Sequence, residues 1–129
     1  RGLGDVYKRQ YLDKIKRLCD AHGTKLLFVT APSPVNHTMQ RHNEVQALAD
    51  ALAVPYLDLN LNTEELGIDW NLDTLDGGDH LNYTGCQKAT AYLQWYMQTH
   101  YTLPDRRDDV RYEAWNKQAE EFEKLLPQP

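Results

Sequence analysis

Hydrophobic positions in the first half of the chain alternate between helical and strand-like spacing. Across residues 11–22 they recur every three or four positions, as on one face of an amphipathic helix, and Gly23 follows as a carboxyl cap. Residues 25–30 form a short apolar run, typical of a strand buried on both faces of a parallel sheet. Residues 37–53 return to the helical spacing, and residues 56–59 form a second short run. Strand, helix and strand in this order predict a parallel crossover and an α/β fold.

The second half of the chain is less regular. Residues 60–76 predict an irregular connection with a single helical turn at 63–66. Another amphipathic helix is predicted from Gly85 to near Tyr101, with Thr84 as its amino cap. Beyond it the chain is dense in charge and weakly apolar, which predicts a solvated helical extension over residues 104–129.

The first ten residues fit this pattern poorly. We interpret residues 1–10 as a non-native leader, and the alternative is that they continue the first helix. Residues 11–103 are then expected to form the carboxyl-terminal part of one α/β domain, whose amino-terminal part lies upstream of this chain.

Composition narrows the functional classes. The 129 residues are 41% hydrophobic, enough for one domain with a modest core. A net charge of −5 predicts no nucleic-acid partner, because such proteins carry a clustered basic face. No apolar run approaches the roughly 20 residues of a bilayer-spanning helix, so the chain is predicted to hold no membrane segment. Cys19 and Cys86 lack the spacing of a zinc or redox motif.

The strongest candidate site is the polar, glycine-rich stretch of residues 76–85. His80 lies beside two carboxylates, Asp76 and Asp79, and a carboxylate can fix the tautomer of an imidazole and make it a better general base. The Gly77-Gly78 pair permits a sharp turn of the backbone. The alternative interpretation is an ordinary solvated turn, in which aspartate and glycine are common.

Asp76 to His80, followed by Leu81-Asn82-Tyr83-Thr84-Gly85 and a helix with Lys88-Ala89, resembles the last conserved block of the SGNH (GDSL-like) hydrolases. The similarity in order and spacing of elements extends from Tyr11 to Tyr101. In that family the block supplies the Asp and His of a Ser-His-Asp triad. The family places its Asp three residues before the His, a position that Gly77 occupies in this chain.

Either Asp76 or Asp79 is therefore expected to orient His80. We favour Asp76, because adjacent side chains diverge along an extended backbone, whereas a turn over the two glycines would bring Asp76 back onto the ring.

The resemblance implies a fold and a reaction. The fold is a partial three-layer α/β/α arrangement with a parallel sheet, a flavodoxin-like SGNH hydrolase fold without its amino-terminal strands. The reaction is that of a serine esterase or deacetylase acting on a small-molecule or carbohydrate ester, with no cofactor and with His80 as the general base. Many similar bacterial proteins carry an amino-terminal membrane anchor and work outside the cytoplasm, and such an anchor would lie upstream of this chain.

Ser33, the only serine in the chain, lies between two prolines and not in a Gly-Asp-Ser setting. The resemblance places the nucleophile and the oxyanion-hole donors upstream, so we expect this chain alone to be inactive. Trp70, in the connection before Asp76, and Asn82 are the candidate substrate-binding residues.

Two other functions compete with this hypothesis. Asp76, Asp79 and His80 could bind a divalent ion weakly, whereas His37 and His42, five residues apart, are not expected to share a helix face as a metal pair. We therefore predict no metal ion. The other competitor is a non-catalytic α/β binding or interaction module, in which the glycine-rich stretch is only a turn.

Overall fold

The structure is a computed structural model that describes residues 3–126. Residues 1–2 of the predicted leader and residues 127–129 of the predicted extension therefore lie outside the described residues. The chain divides into two compact units, residues 1–93 and residues 94–129.

The described residues contain five helices and four short strands. The helices are α1 (Leu3–Ala21), α2 (Met39–Leu52), α3 (Thr63–Leu66), α4 (Tyr83–His100) and α5 (Glu113–Leu125). The strands are β1 (Phe28–Thr30), β2 (Tyr56–Asp58), β3 (Thr74–Leu75) and β4 (His80–Leu81). Short 3₁₀ turns lie at Leu59–Asn62, Asp76–Gly78 and Val110–Tyr112.

The predicted mixed α/β class is confirmed, on a small scale. Strands β1 and β2 pair in parallel, with Phe28 opposite Tyr56 and Thr30 opposite Asp58, and α2 connects them. Because parallel strands end at the same edge of a sheet, Thr30 and Asp58 lie side by side where the polar connections begin. This edge carries one of the two groups of polar residues described below.

Helix α2 is bounded by two local signals. Of the two candidate amino caps, Thr38 takes the role, and its side chain accepts a hydrogen bond from Arg41 N at 3.2 Å. The helix ends at Leu52, and its carboxyl cap, Ala53, adopts the left-handed conformation (φ 51°) before Val54 and Pro55 lead into β2. The buried apolar core is small and lies around these elements, in Ala49, Val54, Leu57, Leu59 and Leu66.

Much of the remaining apolar surface of this unit is open. Leu18 on the apolar stripe of α1 is 61% exposed, Ile15 is 45% exposed, and Val29 of β1 is 41% exposed. Helix α1 begins at Leu3, so residues 3–10 are helical, and the interpretation of residues 1–10 as a non-native leader stays a prediction. An amphipathic helix and a sheet face that stay open are surfaces that normally pack against further elements.

The glycine-rich stretch forms a hairpin that the sequence pattern did not predict. Strands β3 and β4 pair in antiparallel fashion, with Leu75 opposite His80. The turn between them places Asp76, Gly77 and Gly78 at φ values of 52°, 66° and 102°. Three successive positive φ values need glycine or a residue such as aspartate that tolerates this region, which explains the composition of the turn.

The second unit contains the predicted charged helical extension. Helix α5 follows a 3₁₀ turn whose cap, Asp109, accepts a hydrogen bond from Arg111 N at 3.1 Å. Its large apolar side chains stay largely in solvent, with Trp115 72% and Phe122 54% exposed.

Candidate functional site

The predicted histidine and its carboxylate meet at the tip of the β3–β4 hairpin. His80 Nδ1 lies 3.1 Å from Asp76 Oδ2, and the left-handed turn over Gly77-Gly78 returns Asp76 to the ring. Both side chains face solvent, 68% of His80 and 71% of Asp76 being exposed. The ring is therefore held at Nδ1, and Nε2 is the nitrogen left for proton transfer. The roles of His80, Asp76 and Asp79 in catalysis stay predictions.

Asp79, the other predicted carboxylate, is engaged elsewhere. Its Oδ2 lies 3.7 Å from His80 Nδ1, which is too long for a hydrogen bond, while its Oδ1 accepts a hydrogen bond from the side-chain amide of Asn36. Next to it, a Cβ on Gly78 would lie 3.1 Å from Pro34 Cγ. These contacts hold the hairpin against the loop after β1, so Asp79 acts as an anchor of the hairpin.

A buried aspartate that the sequence analysis did not single out joins the hairpin to α4. Asp73 is 2% exposed; its Oδ1 accepts from Thr84 Oγ1 at 2.8 Å, and its Oδ2 accepts from Lys88 Nζ at 2.5 Å and Asp69 N at 2.8 Å. These hydrogen bonds, the one from Lys88 foremost, lower the pKa of the Asp73 carboxyl to about 2. Gly85 lies against the same residue, since a Cβ there would be 2.2 Å from the Asp73 carbonyl oxygen.

Asn82, predicted to bind substrate, caps α4. Its Oδ1 accepts a hydrogen bond from Gly85 N at 3.1 Å and lies 2.8 Å from Thr84 Oγ1, whose single proton it shares with Asp73, and its Nδ2 donates to Leu72 O at 2.6 Å. The prediction that Thr84 would cap this helix is wrong, because the helix begins at Tyr83 and the preceding asparagine reaches the free amide first. Substrate binding by Asn82 stays a prediction.

The two remaining predicted positions lie in turns. Trp70 is half-buried in the turn before β3, where its carbonyl accepts a hydrogen bond from Thr74 Oγ1 at 2.5 Å. The backbone N of Ser33 donates to Asn60 Oδ1 at 2.8 Å, and Ser33 Oγ accepts from Asn36 N at 3.2 Å. The serine hydroxyl thus stabilises the loop after β1.

A second group of polar side chains lies at the carboxyl edge of the parallel strands, and we name His37, His42 and Asp58 the histidine cluster. Asp58 Oδ2 lies 2.8 Å from His42 Nδ1 and 3.2 Å from His37 Nε2. The side chain of Asp58 is 1% exposed, and those of His37 and His42 are 19% and 14% exposed. The sequence pattern placed both histidines on one helix, whereas in the structure His37 lies before α2, so the two rings reach Asp58 without sharing a helix face.

The carboxylate of the cluster is oriented by Asn60. Asp58 Oδ1 accepts hydrogen bonds from Asn60 N at 3.0 Å and from Asn60 Nδ2 at 2.8 Å, which turns Oδ2 toward the two imidazoles. Burial by itself would raise the pKa of Asp58, but the hydrogen bonds from Asn60 and His42 outweigh it and hold the pKa below its ordinary value. Asp58 is therefore a carboxylate at neutral pH.

The sequence contained a partial signal for this cluster. Asp58 lies near the end of the strand predicted over residues 56–59, and polar residues at that edge converge on ligands in α/β folds. The signal for the histidines was hidden by treating residues 37–53 as one continuous helix.

Comparison with protein-family models, curated proteins and solved structures found no match for this chain. Among the helices of residues 3–126, none combines the length and the apolar character that crossing a bilayer requires.

Proposed function

We propose that this chain is the carboxyl-terminal part of an SGNH/GDSL-type serine esterase or deacetylase in which His80 is the general base. The observation that carries the proposal is the hydrogen bond between His80 Nδ1 and Asp76 Oδ2 at the tip of the β3–β4 hairpin. A triad needs its imidazole fixed at one nitrogen by a carboxylate, so that the other nitrogen can accept the proton of the nucleophile.

In the proposed mechanism Nε2 of His80 takes the proton of a serine hydroxyl as the oxygen attacks an ester carbonyl, and later returns it to the leaving alcohol. Asp76 stabilises the imidazolium that forms between these steps. The substrate class, a small-molecule or carbohydrate ester, follows from the resemblance to the family.

The nucleophile in this proposal belongs to an upstream part of the protein. Ser33 Oγ already accepts a hydrogen bond within its own turn, and His80 is 68% exposed, so the catalytic base has an open side on which another surface can pack. The open apolar faces of α1 and β1 fit the same proposal, since further strands of a flavodoxin-like three-layer fold would cover them.

The test is activity of the longer protein encoded by the full open reading frame. With p-nitrophenyl acetate as substrate, His80→Ala is expected to lower kcat/KM by at least about 100-fold, the usual contribution of a general base. His22→Ala, an exposed histidine next to the end of α1, is the matched control and should leave kcat/KM unchanged.

The proposal fails if His80→Ala keeps full activity, or if the upstream sequence contains no Gly-Asp-Ser-like block and the longer protein is inactive. The latter result would favour the non-catalytic binding module. The 129-residue chain alone is expected to show no hydrolysis above a mock purification, and hydrolysis that disappears in Ser33→Ala would contradict the upstream nucleophile.

A further inference from the structure

We propose that the histidine cluster is a binding site for a divalent transition-metal ion such as Zn²⁺, with His37 Nε2, His42 Nδ1 and Asp58 Oδ2 as ligands. The three atoms lie within 4.8 Å of one another. The inference does not depend on the proposed hydrolase function, because it concerns other residues.

The donor set suits such an ion. Two imidazole nitrogens and one carboxylate oxygen are ligands that zinc and iron accept, and catalytic zinc sites use three protein ligands and keep one position open. With metal–ligand distances of about 2.0–2.2 Å, the ligand atoms of a tetrahedral site lie about 3.3–3.5 Å apart. The 3.2 Å between His37 Nε2 and Asp58 Oδ2 is already close to that value, and the 2.8 Å to His42 Nδ1 needs to open by about half an ångström.

His37 supplies an independent indication. Its Nε2 is buried and has no hydrogen-bond partner, although it lies 3.2 Å from Asp58 Oδ2. A buried polar atom without a partner loses its hydrogen bonds to water and gains none in return, so such atoms are rare unless something else binds them. An ion between the three ligand atoms would accept the lone pair of this nitrogen.

The surroundings complete the geometry of a ligand site. Asn60 holds Asp58 Oδ1 through two hydrogen bonds and leaves Oδ2 for the ion, as outer residues do around metal-binding carboxylates. The cluster faces a cleft of about 260 Å³ that Ser33, Asn36 and Arg41 also line. This cleft gives water or a small ligand access to an open coordination position.

The experiment is a titration of the 129-residue chain with Zn²⁺ against a chromophoric chelator, together with the visible absorption of its Co²⁺ complex. We expect one equivalent of Zn²⁺ to bind, and we expect the absorption of the Co²⁺ complex to be that of a four-coordinate, tetrahedral site. His37→Ala and Asp58→Ala are each expected to weaken Zn²⁺ binding at least tenfold.

His37→Ala is the informative variant, because His37 Nε2 has no hydrogen bond to lose and circular dichroism should stay that of the parent chain. His22→Ala controls for surface histidines, and His80→Ala controls for binding at the hairpin. Neither should change the affinity. The proposal is overturned if no Zn²⁺ binds, or if binding persists in His37→Ala and Asp58→Ala, or if His80→Ala removes it.

Discussion

Among the described residues, histidine meets aspartate in two places, at the hairpin tip and in the histidine cluster, and these differ in sequence separation and in burial. The pair of Asp76 and His80 lies within five consecutive residues and is more than two-thirds exposed. The histidine cluster brings together residues from a loop, a helix and a strand end, and its carboxylate is 1% exposed. The local pair is thus open to solvent and to any partner surface, whereas the cluster surrounds a buried carboxylate.

Because of this difference, we expect the buried carboxylate to contribute much more to the free energy of unfolding than the exposed one. Asp58→Ala should lower the free energy of unfolding by about 2–4 kcal/mol, because it leaves the amides of Asn60 and the imidazole of His42 without their acceptor. Urea denaturation in the presence of EDTA measures it. A loss below about 0.5 kcal/mol would show that the cluster contributes nothing to the fold of the metal-free chain.

The hairpin that carries the exposed pair packs on α4 where Gly85 contacts the buried Asp73, and Gly85→Ala tests this contact. In an ordinary helix this substitution stabilises by about 0.5–1 kcal/mol, but here the new Cβ would meet the Asp73 carbonyl oxygen at 2.2 Å. We expect a loss of about 1–3 kcal/mol by the same denaturation assay. Thr90→Ala, at an exposed position of α4, is the control and should be neutral or stabilising; a stabilising Gly85→Ala would mean that the hairpin is not packed on α4 as described.

The pH dependence of the free energy of unfolding tests the hydrogen bonds of the same buried residue, Asp73. The pKa of Asp73 falls from 3.8 to about 2 on folding, so its contribution is fully present above about pH 4 and is lost as the pH falls toward 2. The difference in unfolding free energy between the parent chain and Asp73→Asn should therefore shrink over that interval. Denaturation curves at pH 5, 4, 3 and 2 measure it.

Lys88→Met tests the cause of this pH dependence. The ammonium of Lys88 is the main cause of the lowered Asp73 pKa, so removing it should move the loss of stability to higher pH. If the free energy of unfolding depends on pH in the same way in Asp73→Asn and in the parent chain, the hydrogen bonds of Asp73 do not form.

The smallest effect is expected at the exposed pair itself. Asp76→Asn should change the free energy of unfolding by about 0.5 kcal/mol or less, because both partners are solvated and asparagine tolerates the positive φ of this position. Urea denaturation of Asp76→Asn and Asp58→Ala under the same conditions compares the two losses directly. A loss as large as that of Asp58→Ala would erase the distinction between the two regions.

Elements whose signals are local were predictable from the sequence. The two parallel strands and α2 followed from short apolar runs and helical spacing, and the return of Asp76 onto His80 followed from the glycine pair. Strands β3 and β4 were not predicted, because two residues are too few to show an alternating pattern. The histidine cluster was missed because His37 and Asp58 meet only through the tertiary arrangement of the crossover.

The central claim is that Asp76, and not Asp79, orients His80 as a general base. The most direct measurement is kcat/KM for p-nitrophenyl acetate in the longer protein carrying Asp76→Asn or Asp79→Asn. We predict a fall of about 10²–10⁴-fold for Asp76→Asn and of less than about tenfold for Asp79→Asn. A larger fall for Asp79→Asn, or full activity in both variants, would contradict the account.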